Sequence, residues 1–163
     1  MSIRDLTDSD LAAALVLNNA NLPALNELDA AELARLVAMS TVSLVAEVDG
    51  AVAGFCIVLP PGVDYDSLNY AWFSRTYSDF AYLDRIAVDP ARRRAGIGRD
   101  FYDDLRRRLA GRAAILCCEV NVRPRNDASL AFHEAIGFRE VGQQDTDGGR
   151  KRVSLLALDL QRP

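Results

Sequence analysis

From Ile86 to Gly98 the chain reads Ile-Ala-Val-Asp-Pro-Ala-Arg-Arg-Arg-Ala-Gly-Ile-Gly. An apolar run stops at a proline, three arginines follow, and two glycines one residue apart open an amphipathic stretch. The first turn of a helix leaves its N–H groups without intrahelical partners, and the helix dipole favours negative charge at the same point. Gly96 and Gly98 carry no Cβ, so an anion can approach the backbone closely. Arg93, Arg94 and Arg99 can add charge-assisted donors. The segment is therefore suited to a phosphate or pyrophosphate. Read alone, it is as compatible with a helix start whose glycines serve packing. A Rossmann fingerprint is incomplete, because Phe101 stands where the third glycine belongs. No Gly-Lys-Ser/Thr sequence supplies a Walker A loop.

Two acids lie inside apolar runs. Asp84 shares strand parity with Tyr82, Ile86 and Val88, and Glu119 sits in Ile115 to Val120. A carboxylate in such a run needs a reason. Each is a candidate base or amine ligand; the alternatives are an ion pair of Asp84 with an arginine such as Arg85, and a structural acid at Glu119. His133 is the single histidine. Seven of the twelve aromatic residues fall between Tyr65 and Tyr82: Tyr65, Tyr70, Trp72, Phe73, Tyr77, Phe80 and Tyr82. Asp64, Asp66 and Asp79 are interspersed. Aromatic faces with acids suit a cationic amine, so this insert is a candidate acceptor pocket; a lid or a homodimer interface is the alternative.

The elements that must hold these residues follow from the pattern. Ser2 to Asp5 reads as a short strand. A helix carries Leu11, Ala12, Leu15 and Val16 after the N-cap oxygens of Thr7 to Asp10, and a second follows Asp29. Val42 to Val48 and Ala51 to Leu59 form a hairpin around Asp49-Gly50. Val63 to Asp79 reads as a long connection, the kind that is usually functional. Phe80 to Val88 is a strand, Ile97 to Leu109 a helix, and Ala114 to Val122 an apolar strand. Another helix starts at Asn126 or Asp127 and ends at Gly137. A last hairpin pairs Arg139 to Gln143 with Val153 to Asp159. This order predicts an α+β fold in one domain spanning residues 1–163, a sheet with helices on its faces.

The 163 residues are half hydrophobic and 26% charged, with a net charge of −4. The negative balance argues against nucleic acid as partner. No stretch is long and apolar enough for a membrane span, and no secretory signal opens the chain. Cys56, Cys117 and Cys118 read as reduced core thiols, which points to the cytoplasm. No metal-ligand spacing is evident.

The pattern resembles the GNAT superfamily of N-acetyltransferases. Its core motif is a strand, then Gln or Arg, two residues, Gly, one residue, Gly or Ala, then a helix; here these are Tyr82 to Pro90 and Arg93 to Gly98. A second motif follows at Asn126 to Phe138, with Asn, a small residue, an aromatic pair and a terminal Gly-Phe. The resemblance implies a mixed, mostly antiparallel twisted sheet of about seven strands flanked by about four helices, with a V-shaped splay between the fourth and fifth strands. It implies acetyl-CoA as cosubstrate, no metal, and a small-molecule or peptide amine as acceptor, attacking directly in a ternary complex. Ile86, Ala87 and Val88 would pair with the pantetheine arm. Arg93, Arg94, Ala95, Gly96, Ile97, Gly98 and Arg99 would hold the pyrophosphate. Asn126, Phe132 and His133 would line the cofactor. His133 stands where many members place a tyrosine that protonates the leaving thiolate. A histidine cation could serve if Glu134 or Glu119 raised its pKa, and Tyr82 is the alternative hydroxyl. The departure also admits a non-catalytic acyl-CoA-binding module of the same fold. The aromatic insert and the Thr146 to Arg150 hairpin resemble those of bacterial members, and no particular substrate comes with them.

Overall fold

The computed structural model of the protein describes residues 1–161. Seven strands form one sheet: β1 (Ser2–Asp5), β2 (Val42–Val48), β3 (Ala51–Leu59), β4 (Ala81–Val88), β5 (Ile115–Arg123), β6 (Arg139–Thr146) and β7 (Lys151–Asp159), in the order β1-β2-β3-β4-β5-β7-β6. The β1–β2, β2–β3, β5–β7 and β6–β7 ladders are antiparallel. The β4–β5 ladder is parallel and short, Ala81↔Leu116 and Tyr82↔Cys117, as the expected splay of these strands requires. Five α-helices accompany the sheet: α1 (Leu11–Asn19), α2 (Ala30–Met39), α3 (Leu68–Thr76), α4 (Ile97–Leu109) and α5 (Asp127–Ala135).

One of these helices corrects the sequence reading. The segment Val63 to Asp79 is no open connection; α3 occupies most of it, capped by Ser67, whose side chain accepts from the Tyr70 amide. Its apolar positions are aromatic and split over two faces, so the usual single stripe is absent. The last hairpin is also longer than the apolar pattern indicated. Gln144 to Thr146 and Lys151 to Arg152 pair at the edge, where one side of each residue meets water and polar side chains are tolerated.

The chain forms two compact units, Met1–Pro60 with Leu83–Arg108, and Pro61–Tyr82 with Leu109–Pro163. In the first, Leu33 of α2, Leu44 of β2, Phe55 and Ile57 of β3 and Phe101 and Leu105 of α4 are fully buried. The apolar stripe Ile97, Phe101 and Leu105 is thus the inner face of α4, and the arginines lie on its other faces. In the second, Phe73 of α3, Tyr82 of β4, Leu116 and Cys117 of β5 and Leu155 of β7 form the core. Burial pushes the thiols of Cys56 and Cys117 upward, so both sit in the core protonated. No helix among the described residues is long and apolar enough to cross a membrane.

Candidate active site

In the first unit, β4 delivers the chain to the glycine turn. Ala87 is buried, while Ile86 and Val88 are half-buried. Pro90–Arg92 makes one 3₁₀ turn, fixed by the Asp89 carboxylate accepting from the Ala91 amide at 2.9 Å. Arg94 and Gly96 then take left-handed conformations, with φ of 69° and 84°. A Cβ on Gly96 would meet nothing within 4 Å. The residue is exposed, and its carbonyl accepts the first helical bond, from Asp100 at 3.0 Å. The turn thus presents an unobstructed backbone at the positive end of α4, where first-turn N–H groups lack helical partners. Arg93, Arg94, Ala95 and Arg99 are exposed around it, Gly98 is half-buried, and Ile97 plugs into the core. An open cleft of about 510 Å³ lies along the loop between Arg92 and Ala95, with Val48 and Met1 on its other wall. These residues bring together what a pyrophosphate needs: backbone donors, bare glycine and exposed cations.

One contributor escaped the sequence reading. The Asn21 amide donates to the carbonyls of Leu17 and Val88, at 2.8 and 3.2 Å, and its oxygen accepts from Arg93 at 3.0 Å. It ties the end of β4 to the arginine loop. Its only advance signal was an amide-rich run, Asn18-Asn19-Ala20-Asn21, closing an apolar helix.

Asp84 sits against Arg85, with Nε to Oδ2 at 3.1 Å and both side chains about 5% exposed. Neighbouring strand residues face opposite ways, but the long arginine side chain reaches its neighbour's carboxylate. Arg85 also donates to the Asn18 side chain at 2.8 Å and the Asn26 carbonyl at 3.1 Å. The ion-pair alternative for Asp84 is the arrangement observed, and the carboxylate charge is matched by a guanidinium.

In the second unit, the Tyr82 hydroxyl lies 2.9 and 2.8 Å from the two carboxylate oxygens of Glu119, and donates to them. Tyr82 is fully buried, whereas Glu119 is half-buried. The pair places a carboxylate at the solvent boundary with its orientation set by a core residue. Tyr70 meets Tyr82 edge-on at a centroid distance of 5.4 Å, Phe73 packs tilted against it at 5.8 Å, and Phe80 lies 6.0 Å from Tyr70. Tyr70, Phe73 and Phe80 are therefore buried against one another and against Tyr82. Their faces are spent on one another, because the i,i+3 pair on α3 must bury its face. Tyr65, Trp72 and Tyr77 keep partial exposure.

On α5, the Asn126 side chain accepts from the Ser129 amide at 3.2 Å, which makes it the N-cap. Phe132 is half-buried. His133 is buried between the edges of Phe132 and Phe138, and its Nδ1 lies 2.7 Å from the Ser129 carbonyl oxygen. That bond puts the proton on Nδ1. Burial lowers the His133 pKa, and the Ser129 carbonyl offsets only part of the effect. Glu134, one of the carboxylates expected to raise it, is exposed to solvent. At neutral pH His133 is an uncharged imidazole. Among the described residues, no group of three or more His, Cys, Asp or Glu is placed to hold a metal.

A mixed seven-stranded sheet, a glycine turn leaving its fourth strand and a capped helix leaving its fifth define a class, and the chain belongs to it: residues 14–138 match the Acetyltransferase (GNAT) family. Over 86 residues it is 34% identical to the ribosomal protein bS18-alanine N-acetyltransferase of Escherichia coli (strain K12), covering 50% of this chain and 57% of that protein. The chain thus spans a little over half the length of the curated relatives it matches. The crystal structure of the ribosomal-protein-S18-alanine N-acetyltransferase from Escherichia coli superposes with a TM-score of 0.76 at 25% identity, over 99% of this chain and 95% of that one. A GNAT-like decarboxylase, GphF, in complex with isobutyryl-CoA, shares the fold at a TM-score of 0.77 and 21% identity, over 99% of this chain and all of that one.

Proposed function

We propose that this protein is an acetyl-CoA-dependent N-acetyltransferase whose acceptor is a primary amine, with the α-amine of a peptide N-terminus as the preferred class. The observation that carries the reading is the open Gly96 turn at the head of α4, flanked by Arg93, Arg94 and Arg99. The residues fit the group: bare backbone and cations for the pyrophosphate, and the β4 backbone at Ile86 to Val88 for the pantetheine arm. Acetyl-CoA bound there supplies the acetyl thioester.

The chain's own chemistry then concerns the amine proton. Direct attack needs a neutral amine, and Glu119 is the group suited to take its proton. Tyr82 holds both carboxylate oxygens and so fixes the direction of the remaining lone pairs. A carboxylate is a weak base. An alkyl ammonium titrates near about 10.4, but a peptide α-ammonium near about 8 and is already partly neutral at physiological pH. The weak base therefore suits an α-amine better than a lysine or polyamine. Relatives named for alanine N-acetylation in a ribosomal protein support the same class. Asp84, bound to Arg85, is the poorer base candidate.

His133 favours a second reading. A neutral imidazole with its proton committed to Ser129 has no proton to give a leaving group. That would suit an acyl-CoA-binding module without turnover. One experiment separates the two. Acetyl-CoA is mixed with a free-N-terminal alanine peptide, an N-blocked lysine peptide, a polyamine and an amino acid, and free thiol is followed. The enzyme reading expects release with the first peptide above the others. CoA binding without release across the panel would leave the binding module.

A further inference from the structure

Gly142 lies in β6, in extended backbone, and is not among the residues with positive φ. Its φ does not ask for glycine, the β6–β7 register shifts between Glu140 and Gly142 beside it, and glycine weakens an edge strand. Its neighbour gives the reason. A Cβ there would sit 2.7 Å from Cζ2 of Trp72, and 3.3 and 3.4 Å from Cη2 and Cε2. The position is empty so that the indole can lie against the strand. Three residues earlier on the same face of α3, Asn69 accepts from the Gln144 side chain at 3.0 Å, two residues along the same face of β6. α3 is thus fixed to β6 at two points in register.

Its neighbouring face does something else. Trp72 meets the Phe73 ring at 5.2 Å, and Phe73 and Tyr70 abut Tyr82. Tyr82 holds both oxygens of Glu119. The contacts run without a gap from Gly142 through Trp72, Phe73 and Tyr82 to the carboxylate. We propose that Trp72, seated on Gly142, is a positioning residue that sets the Tyr82–Glu119 pair, an inference that rests on the reading of Glu119 as base. Packed aromatic rings shift as bodies rather than deform, so displacing the indole displaces α3 and, with it, the tyrosine hydroxyl.

Trp72 is the chain's single tryptophan, so its fluorescence reports its own seat. Gly142→Ala should shift that emission, leave CoA affinity unchanged and lower kcat about tenfold, since small misplacements near reacting groups cost that much or more. Trp72→Phe removes the atoms that the new methyl meets. The double variant Gly142→Ala/Trp72→Phe should therefore be no slower than Trp72→Phe alone, with the same pH–rate profile, rather than carrying both losses. Should Gly142→Ala fail to fold, Trp72→Phe still decides, by a fall in kcat without a change in CoA affinity. Wild-type kcat and pH profile in Gly142→Ala despite shifted emission would overturn the proposal, as would unshifted emission. Wild-type turnover in Glu119→Gln would overturn the base assignment instead, while the size-swap comparison is still judged on kcat itself.

Discussion

At the Arg93–Gly98 turn the groups offered to the proposed ligand are backbone, and what the side chains contribute is mostly their absence or their charge. Gly96 leaves open space, Arg93, Arg94 and Arg99 are exposed, and the helix itself supplies the field. At Tyr82–Glu119 the groups are side chains, and four elements hold them: β4 carries the tyrosine, β5 the glutamate, α3 the aromatic packing, and β6 the seat of α3. The first arrangement is local and generic, and it fits a ligand part that is the same in every reaction of its kind. The second is long-range and particular, and it fits the part that differs from acceptor to acceptor.

If that contrast is right, damage to the two regions should look different. The largest effect on ligand binding is expected from Gly96→Trp, which fills the open space before α4 and forces a bulky residue into a left-handed conformation. CoA should bind at least about 100-fold more weakly, a loss of about 2.7 kcal/mol, while circular dichroism reports a folded chain. Arg85→Met acts on stability instead: it removes the guanidinium beside the buried Asp84 carboxylate and should destabilise the protein by about 3–5 kcal/mol, read from urea midpoints. Asp84→Asn should leave the pH–rate profile in place, since the carboxylate serves Arg85. A shifted profile would restore Asp84 as a base.

Tyr82→Phe keeps the ring packing and removes the hydroxyl. It should lower kcat about tenfold, the worth of a hydrogen bond to a charged group, and move the acid limb of the profile to higher pH, with CoA affinity unchanged. The smallest effect is a stability slope. Burial lowers the pKa of His133 in the fold, whereas an unfolded histidine titrates near about 6.5. Below that value the unfolded chain binds the extra proton first. The stabilisation is therefore complete above about pH 6.5 and is lost as the pH falls beneath it. His133→Phe should flatten the slope of urea midpoints between about pH 6.5 and 5, and an unchanged slope would place the titration elsewhere.

The same contrast explains what could be read from the residues alone. The strands along the chain, the Asp49-Gly50 hairpin, the α4 stripe and the glycine turn are written in local periodicity and turn chemistry, and the fold contains them. α3 was not legible, because its aromatics serve two faces and mimic a binding loop. Asn21 and Gly142 were not legible either. An asparagine near a helix end and a glycine in an edge strand carry no signal until the partner 67 or 70 residues away is in place. His133 was legible as a departure, but its uncharged state depends on burial by Phe132 and Phe138, which only tertiary packing supplies.

The division of labour between backbone turn and carboxylate pair is tested most directly by CoA titration and single-turnover transfer to an alanine peptide, run side by side on wild type, Gly96→Trp and Glu119→Gln. The account predicts that Gly96→Trp loses CoA affinity. It predicts that Glu119→Gln binds CoA within about twofold of wild type yet transfers acetyl about 100-fold more slowly. Equal loss of CoA affinity in both variants, or wild-type transfer by Glu119→Gln, would contradict it.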